Sequence, residues 1–269
     1  MTDAGATAAP AAADSAVPTS STSILAVQDV RVRYGGVEAV AGVSMTIETP
    51  QIVGLIGPNG AGKSSLLAAV GGQVRTTAGR VLLRERDVTR LPPYRRARIG
   101  LVRTFQTAGV FDRLTVAENL LVAGMGNRGS RLWGAVAGRT ARVEAQAQER
   151  VLQVLTDLEL RSMTDAYGAE LSGGQRRLVE MARCMMCSPT VLLLDEPMVG
   201  VAPHLVARIG ETCRRIRDTG VAIVIVEHAM EVVESVCDRV VVMAVGEILD
   251  DGTYASVMSN GSVRDAYLA

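Results

Sequence analysis

A glycine-rich stretch near residue 60 constrains this chain more than any other feature. The segment from Gly57 to Ser64 fits the pattern G-x-x-x-x-G-K-[ST] in full. An apolar, strand-like run (residues 52–56) precedes it and a helix-forming run (residues 65–70) follows it, which is the context that the pattern requires. Such glycines let the backbone wrap around a phosphate chain, and the following helix presents its positive N-terminal end to the same anion. The stretch therefore predicts a nucleoside triphosphate site rather than an accidental glycine-rich turn.

Two side chains of this stretch carry the expected chemistry. Lys63 is expected to reach the β- and γ-phosphates, and the Ser64 hydroxyl to complete the coordination of Mg²⁺. Lys63 is the only lysine of the sequence, which otherwise uses arginine, so a compact ammonium is kept where one is needed. The candidates for contact with the nucleotide in this stretch are Gly57, Pro58, Asn59, Gly60, Ala61, Gly62, Lys63, Ser64 and Ser65.

Composition narrows the class of protein. With 269 residues, 48% of them hydrophobic and 21% charged, the chain can bury a large core as one domain or as two small subdomains. The formal net charge is zero, so no nucleic-acid partner is expected. No apolar run approaches the roughly 18 residues of a membrane span, and we expect a soluble protein that reaches membranes only through a partner.

The four cysteines are Cys184, Cys187, Cys213 and Cys237. Cys184 and Cys187 form a C-x-x-C pair in a helix-like stretch, but neither a second close pair nor a nearby histidine completes a zinc site. We interpret the cysteines as buried thiols of a reducing cytoplasm, with redox chemistry at the C-x-x-C pair as the alternative.

The chain divides into a tail and three regions. Residues 1–23 are rich in alanine, threonine, serine and proline without the features of a signal peptide, and they predict a disordered tail. Strand patterns follow, with the clean alternation of residues 43–48 typical of a half-buried antiparallel strand. Tyr34 ends the first strand just upstream of the glycine-rich stretch, where its ring either stacks on an adenine or packs within the sheet.

A helical pattern replaces the strands from about residue 107 to residue 187. One helix is predicted to begin after Thr115 as N-cap. The apolar face of another is predicted at residues 151, 152, 154, 155 and 158. Between them, residues 124–142 contain the only tryptophan, Trp133, in either a partner-binding loop or a packed hairpin. The last third alternates strands and helices, and the apolar run Val191–Asp195 predicts a buried parallel strand that ends in an acid.

Five spaced motifs now identify a family resemblance. The sequence Leu171-Ser172-Gly173-Gly174-Gln175, together with the glycine-rich loop, Gln106, Asp195-Glu196 and His228 in this order, resembles the ATP-binding cassette family over about residues 24–260. The resemblance implies an α/β fold: a P-loop NTPase (RecA-like) core with an antiparallel β subdomain and an inserted α-helical subdomain. It implies one nucleotide-binding domain over residues 24–269, with the helical subdomain at about 107–187.

The resemblance also assigns roles to the matched residues. Asp195 is expected to hold Mg²⁺, and Glu196 to polarise the water that attacks the γ-phosphate. His228 is expected to contact the γ-phosphate and orient Glu196, and Gln106 to contact Mg²⁺ or the water. As cofactors the resemblance implies ATP and Mg²⁺.

The segment Ser172, Gly173, Gly174 and Gln175 is expected to face an ATP bound to a second subunit, because in this family two cassettes enclose two nucleotides. The implied partners are therefore a second cassette, identical or homologous, and integral-membrane permease subunits, with a solute-binding protein involved indirectly. The permease would keep the chain on the inner face of the cell membrane, and a groove near Gln106, Phe111 and Glu118 is the expected docking place.

Within the family, several pieces resemble importers of branched-chain amino acids. They include Arg103-Thr-Phe-Gln106, residues 114–121, residues 176–184, Glu227-His-Ala-Met and the ending Ala266-Tyr-Leu-Ala. One departure is the stretch Val199-Gly-Val-Ala202, which lacks the usual aspartate of Ser-Ala-Leu-Asp and puts communication between two ATP sites in question.

The sequence favours an ATP-hydrolysing subunit of an importer for branched-chain amino acids or a related small solute. The alternatives are the ATPase of a lipid or lipopolysaccharide exporter, a soluble ABC protein that acts on ribosomes or DNA, and a nucleotide switch that barely hydrolyses ATP. The presence of both Glu196 and His228 argues against the switch.

Overall fold

The computed structural model describes residues 23–104, 109–127 and 140–268. Gln106, Trp133 and the predicted tail up to residue 22 lie outside these residues, so the predictions made for them stay predictions. An antiparallel sheet forms the first part of the fold, and its strands are β1 (Leu25–Tyr34), β2 (Val37–Ile47), β4 (Ala78–Leu83) and β5 (Arg86–Asp87). Their order in the sheet is β2-β1-β4-β5.

A second sheet of six strands forms the centre of the molecule. Its strands are β3 (Ile52–Ile56), β6 (Leu101–Arg103), β7 (Val191–Asp195), β8 (Ala222–Val226), β9 (Arg239–Ala244) and β10 (Glu247–Gly252), in the order β10-β9-β3-β8-β7-β6. Neighbouring strands are parallel, except that β10 pairs antiparallel with β9. All residues of β3, β7 and β8 are buried, as expected of strands covered on both faces.

Helices cover both faces of this central sheet. They are α1 (Lys63–Gly71), α2 (Pro93–Arg98), α3 (Val116–Asn127), α4 (Thr140–Asp157), α5 (Gly173–Met185), α6 (Pro203–Asp218), α7 (Met230–Val236), α8 (Tyr254–Ser259) and α9 (Gly261–Leu268). Within residues 140–268, short 3-10 helices lie at Arg161–Met163 and Gly168–Glu170. The mixed α/β architecture confirms the predicted fold class, and the bounds of the helical subdomain stay a prediction.

Alternating residues of the central strands feed two cores. Ile52, Ile223 and Ile225 pack into the cluster formed with α3 to α6, whereas Val53 and Val224 pack into the cluster formed with α1 and the antiparallel sheet. This period of two follows from the geometry of a strand, whose successive side chains point to opposite faces. In the described part of the chain, no helix is both long and apolar enough to cross a membrane.

Two local predictions for the helical region had different outcomes. Thr115 does cap α3, because its hydroxyl accepts the Glu118 N–H at 3.2 Å while the Glu118 carboxylate accepts the Thr115 N–H at 2.8 Å. The apolar face of α4 was wrong at Leu152, which is 47% exposed, while residues 151, 154, 155 and 158 are buried. The reason is that each residue turns the helix by about 100°, so Leu152 leaves the face that Val151 shares with residues three and four positions on.

The four cysteines, all of them in the described part of the chain, form no disulfide with one another. Cys184 and Cys213 are buried, and Cys187 and Cys237 are half-buried. Burial raises the pKa of all four thiols, to about 12 for Cys213 and for Cys237. A raised pKa disfavours the reactive thiolate, which supports a packing role over redox chemistry.

Candidate nucleotide site

The loop between β3 and α1 contacts the side chain of Lys63, the first residue of α1. The Lys63 ammonium donates to the carbonyl oxygens of Gly57 at 2.8 Å and Pro58 at 2.9 Å. Lys63 is only 5% exposed, and its burial lowers the pKa, while the charges of Glu196 and Asp195 oppose this shift. Lys63 thus places a buried positive charge beside a glycine-rich loop, within the influence of two carboxylates. This combination of an ammonium and backbone amides is typical of phosphate sites.

Two glycines of the loop are required by close backbone contacts. Gly57 has φ +145, and a Cβ there would lie 2.0 Å from the Met243 carbonyl oxygen. Gly62 has φ +98, and a Cβ there would lie 2.2 Å from the Ala39 carbonyl oxygen of β2. The phosphate loop is therefore fitted against β9 and the antiparallel sheet, and no larger residue can replace either glycine without moving backbone.

The remaining candidates of this loop occupy three environments. Asn59 and Gly60 are exposed at its tip, Pro58 is half-buried, and Ala61 is buried. Ser64 and Ser65 open α1 and line a cavity of about 320 Å³ with Tyr34, Arg103 and Thr104. The structure thus brings Tyr34 beside the start of α1, and the residue is 49% exposed, which leaves room for stacking on a base.

Asp195 closes β7 and faces the start of α1. Its Oδ1 accepts from the Ser64 hydroxyl at 3.3 Å, and its Oδ2 pairs with the Arg103 guanidinium at 2.7 Å. The Asp195 side chain is fully buried, and Arg103 is 12% exposed. Parallel pairing of β6 with β7 places Arg103 opposite Leu193, two residues before Asp195. The carboxyl ends of two adjacent strands therefore bring the opposite charges together.

Glu196 and His228 form a second, more exposed pair. The His228 Nε2 and the Glu196 Oε1 are 2.8 Å apart, and their side chains are 39% and 35% exposed. Both residues come just after buried parallel strands: Glu196 is the first residue after β7, and His228 is the second residue after β8. The paired strand ends place the histidine against the carboxylate that was predicted to activate water.

Glu227 lies behind this pair and connects two loops. Its side chain accepts the Met198 N–H at 3.0 Å and, at 3.4 Å, the N–H of His228. Glu227 is 2% exposed, and its burial raises the pKa of the carboxyl group, although both hydrogen bonds oppose the shift. The carboxylate therefore fixes the backbone beyond Glu196 relative to the backbone of His228.

The segment from Ser172 to Gln175 opens α5 at some distance in the chain from these groups. The Ser172 hydroxyl accepts the Gln175 N–H at 3.3 Å, and the Gln175 side chain accepts the Ser172 N–H at 2.8 Å, which is a capping box. Ser172 and Gly173 are exposed, and Gly174 packs against Leu205 of α6. Among the described residues, the hydrogen bonds of Ser172 and Gln175 join this segment to itself and not to the phosphate loop.

Comparisons with known proteins identify the arrangement. The family model described as ABC transporter matches residues 40–199. The probable branched-chain amino acid transport ATP-binding protein LivG of Archaeoglobus fulgidus is 36% identical over 91% of this chain and 95% of its own length. This chain belongs to the ABC transporter family. It is an ATPase subunit of a transporter, as the predicted resemblance implied.

Further relatives show how widely this ABC cassette is shared. The lipopolysaccharide export system ATP-binding protein LptB of Acidithiobacillus ferridurans is 35% identical over 85% of this chain and 90% of its own length. Among solved structures, the ADP conformation of MJ1267, an ATP-binding cassette of an ABC transporter, has a TM-score of 0.81 and 32% identity, covering 92% of this chain and 99% of that one.

The donor set of this ABC ATPase fits Mg²⁺ and a triphosphate. Magnesium prefers hard oxygen ligands, and Ser64 and Asp195 supply a hydroxyl and a carboxylate that already lie within hydrogen-bonding distance of each other. The triphosphate would replace the two carbonyl oxygens that now accept from Lys63. Gln106, the third predicted metal contact, lies outside the described residues.

Sequence reasoning missed three contacts of the cassette. Arg103 and Glu227 were noted only as parts of family-like pieces, and Tyr267 of α9 only as part of the ending. Burial raises the pKa of Tyr267 to about 12, although a hydrogen bond with the Gly57 backbone opposes it, so α9 reaches the phosphate loop. The sequence did contain a signal for Arg103. A buried acid at the end of one parallel strand needs a neutralising partner, and a cation at the end of the neighbouring strand can supply it.

Proposed function

We propose that this chain is the ATP-hydrolysing subunit of an ABC importer for branched-chain amino acids or a related small solute. The observation that carries the cargo is its 36% identity to LivG over nearly its whole length. The geometry that supports hydrolysis is the Glu196–His228 pair, at 2.8 Å, beside a complete phosphate loop. The cargo itself would be bound by other subunits, namely the permease and, indirectly, a solute-binding protein.

Each predicted site residue has a proposed role. Lys63 and the loop from Gly57 to Ser65 would hold the β- and γ-phosphates, with Tyr34 against the base. Ser64, Asp195 and Gln106 would hold Mg²⁺, which supplies positive charge against the charge that develops on the phosphates. Glu196 would accept a proton from the attacking water, and His228 would orient Glu196 from its position in hydrogen-bonding contact.

A second cassette would complete the site. In this proposal the exposed N-terminus of α5, with Ser172, Gly173, Gly174 and Gln175, faces the triphosphate bound by another copy or by a homologous subunit. Two ATP molecules then stabilise the dimer by mass action, and hydrolysis releases it. This motion would pass to the permease, which would dock near Phe111, a residue that is 47% exposed. The docking would hold the chain on the cytoplasmic face of the membrane.

The test of the cassette mechanism uses the Glu196→Gln variant. We expect size-exclusion chromatography to show a dimer with Mg-ATP and a monomer without nucleotide. A monomer that binds ATP would indicate an obligate heterologous partner. A variant that binds no ATP at all would refute the proposed site.

The cargo is tested by transport in cells that lack this gene. We expect the deletion to abolish ATP-dependent uptake of leucine, isoleucine and valine, and we expect the wild-type chain, but not Glu196→Gln, to restore it. Normal uptake in the deletion strain would reject this cargo.

An exporter ATPase is the second candidate, since LptB is 35% identical to this chain. For this candidate, depletion of the chain would leave amino-acid uptake normal and reduce the amount of lipopolysaccharide at the cell surface. The two measurements on one depletion strain therefore separate the two candidates.

A further inference from the structure

The pairing of Arg103 with Asp195 raises a question about how the metal enters the site. Mg²⁺ needs the Asp195 carboxylate in the proposed function, on which the present inference rests. That carboxylate is fully buried, and both of its oxygens have partners, the Ser64 hydroxyl on one and the Arg103 guanidinium on the other. A guanidinium and a divalent cation are alternative ways to neutralise the same buried charge.

The guanidinium is held in this place by a second partner. Arg103 Nη1 donates to the Gln73 side-chain oxygen at 3.0 Å, while Nη2 contacts Asp195. Gln73 follows the end of α1, so Arg103 spans from the exit of this helix to the end of β7. The planar fork of arginine allows this two-point anchorage, which a lysine ammonium would not reproduce with the same geometry.

The arrangement also carries a cost that a competing ligand can relieve. The Arg103 Nε is buried and has no hydrogen-bond partner among the described residues. An unsatisfied buried donor is unfavourable. Arg103 also lines the cavity of about 320 Å³ that Ser64 and Ser65 share, so the side chain borders open space beside Ser64, a proposed metal ligand.

We propose that Arg103 is a positioning residue that occupies Asp195 when nucleotide is absent and competes there with Mg²⁺. The pair keeps the buried carboxylate neutralised and gives the empty cassette a low affinity for the free metal ion. The metal is then admitted together with the triphosphate, whose oxygens supply the additional ligands that outweigh the salt bridge. The consequence is a metal site that binds weakly without nucleotide and becomes strong in the nucleotide complex.

The test is a titration of the full chain with Mn²⁺ alone, without nucleotide. Electron paramagnetic resonance measures the bound and the free metal ion. Arg103→Met removes the charge and retains much of the side-chain volume. We expect it to tighten Mn²⁺ binding about tenfold or more, the scale set by loss of one charge-assisted hydrogen bond. Combining it with Asp195→Asn should abolish the gain. Unchanged, weaker or unmeasurable binding in Arg103→Met would overturn the inference.

The matched control is Arg217→Met. Arg217 pairs with Asp238 at 2.8 Å and thus also loses an arginine–aspartate contact, but it stands outside the proposed site. We expect this control to bind Mn²⁺ like the wild type. An equal gain in both variants would attribute the effect to net charge and would overturn the inference.

Two milder variants cover a failure of Arg103→Met to fold. Gln73→Ala removes one anchor of the guanidinium at an exposed position, and we expect a smaller tightening, about two- to threefold. Arg103→Lys keeps a positive charge, and we expect Mn²⁺ affinity between those of the wild type and Arg103→Met. No change in Gln73→Ala together with wild-type affinity in Arg103→Lys would count against the inference.

Failure of the proposed function has a different signature. In the Glu196→Gln background, Mn²⁺ and ATP together should give a protein-bound metal–nucleotide complex with or without Arg103. If no such complex forms, the proposed nucleotide site is wrong. If it forms and Arg103→Met leaves nucleotide-free Mn²⁺ affinity unchanged, only the role of Arg103 is wrong.

Discussion

Asp195 and Glu196 are adjacent in the sequence, but their carboxylates lie in opposite surroundings. The Asp195 side chain is 0% exposed and is closed off by Arg103 and Ser64. The Glu196 side chain is 35% exposed and contacts His228. The backbone explains the divergence, because Asp195 is the last residue of β7, whereas Glu196 has a φ of 48, off the strand.

The difference divides the site into two halves with different needs. The Asp195 half is complete within one chain, as a buried charge must be if it is not to destabilise the fold. The Glu196 half is open to solvent, where a hydrogen-bonded pair of polar side chains contributes little because water competes for it. Closure by a second cassette would exclude water and strengthen it. We therefore expect changes in the Glu196 half to affect the rate of hydrolysis, and changes in the Asp195 half or in the adjoining phosphate loop to affect ligand affinity.

The largest effect is expected for Glu196→Gln. Loss of the general base should lower the turnover of ATP by about 10²–10⁴-fold while ATP affinity is kept. The measurement is phosphate release at saturating Mg-ATP. Glu211→Gln on α6 is the matched control, because Glu211 is an exposed glutamate in a surface ion pair, and its rate should equal that of the wild type. A wild-type rate for Glu196→Gln would remove the distinction between the two halves.

The next effect is expected for Lys63→Ala. Loss of the only ammonium in the loop should weaken ATP binding by about 10- to 100-fold, the range for a hydrogen bond to a charged group. Equilibrium binding in the Glu196→Gln background measures affinity without turnover. Lys63→Arg retains charge but needs more room than a residue that is 5% exposed allows, so we expect it to bind weakly as well. Unchanged affinity in Lys63→Ala would show that the phosphate loop does not govern binding.

Much of this site could be predicted from the sequence because its parts are local. The phosphate loop and the strand that ends in Asp195 each follow from a short pattern of glycines and apolar residues. The fold class was equally accessible, since the spaced motifs carry the family resemblance that implies it.

The contacts across the fold could not be predicted in the same way. Arg103 lies 92 positions before Asp195, and only the order of strands in the sheet makes them neighbours. In the sequence, Glu227 is recognisable only as the neighbour of a histidine. Its hydrogen bond with the Met198 N–H arises because β7 and β8 pair side by side. Leu152 shows that a local pattern can also predict too much. It is apolar but lies one position off the buried face of α4, and it is exposed.

Glu227→Gln tests the Glu196 half by weakening the hydrogen bonds that hold the backbone behind it. An amide oxygen can still accept the Met198 N–H, but the amide NH₂ would then face the N–H of His228, which needs an acceptor. We expect kcat to fall about tenfold with the KM for ATP unchanged, the loss of one hydrogen bond to a charged group. A higher KM with unchanged kcat would place Glu227 in nucleotide binding instead.

The same variant has a signature in the pH dependence of stability. Burial raises the pKa of Glu227 in the folded chain above its ordinary value of 4.5, so the folded state holds this proton more tightly than the unfolded state. The wild-type contribution to the free energy of unfolding is therefore greatest at low pH and falls as pH rises from 4.5 through the folded-state pKa. Glu227→Gln lacks this fall, so urea unfolding should show its stability relative to the wild type increasing over that range. A constant difference would contradict the raised pKa.

The smallest effect is expected for Ser172→Ala, at the exposed start of α5. Ser172→Ala removes the N-cap of α5 and should lower the free energy of unfolding by about 1 kcal/mol. Thr253→Ala is the matched control, because the Thr253 hydroxyl caps α8 by accepting the Ser256 N–H at 3.3 Å, the same distance as in the Ser172 cap. Urea unfolding should give similar losses for both variants.

Only Ser172→Ala should also weaken the dimer that Glu196→Gln forms with Mg-ATP, since the hydroxyl is exposed and the proposed second nucleotide is its partner. Sedimentation of each double variant at a series of protein concentrations separates this effect from stability. If both caps weaken the dimer equally, the loss follows from stability alone, and the open half of the site gains nothing from Ser172. If Ser172→Ala alone weakens it, the residues that complete the exposed half come from the other subunit, which explains why one chain leaves Glu196 uncovered.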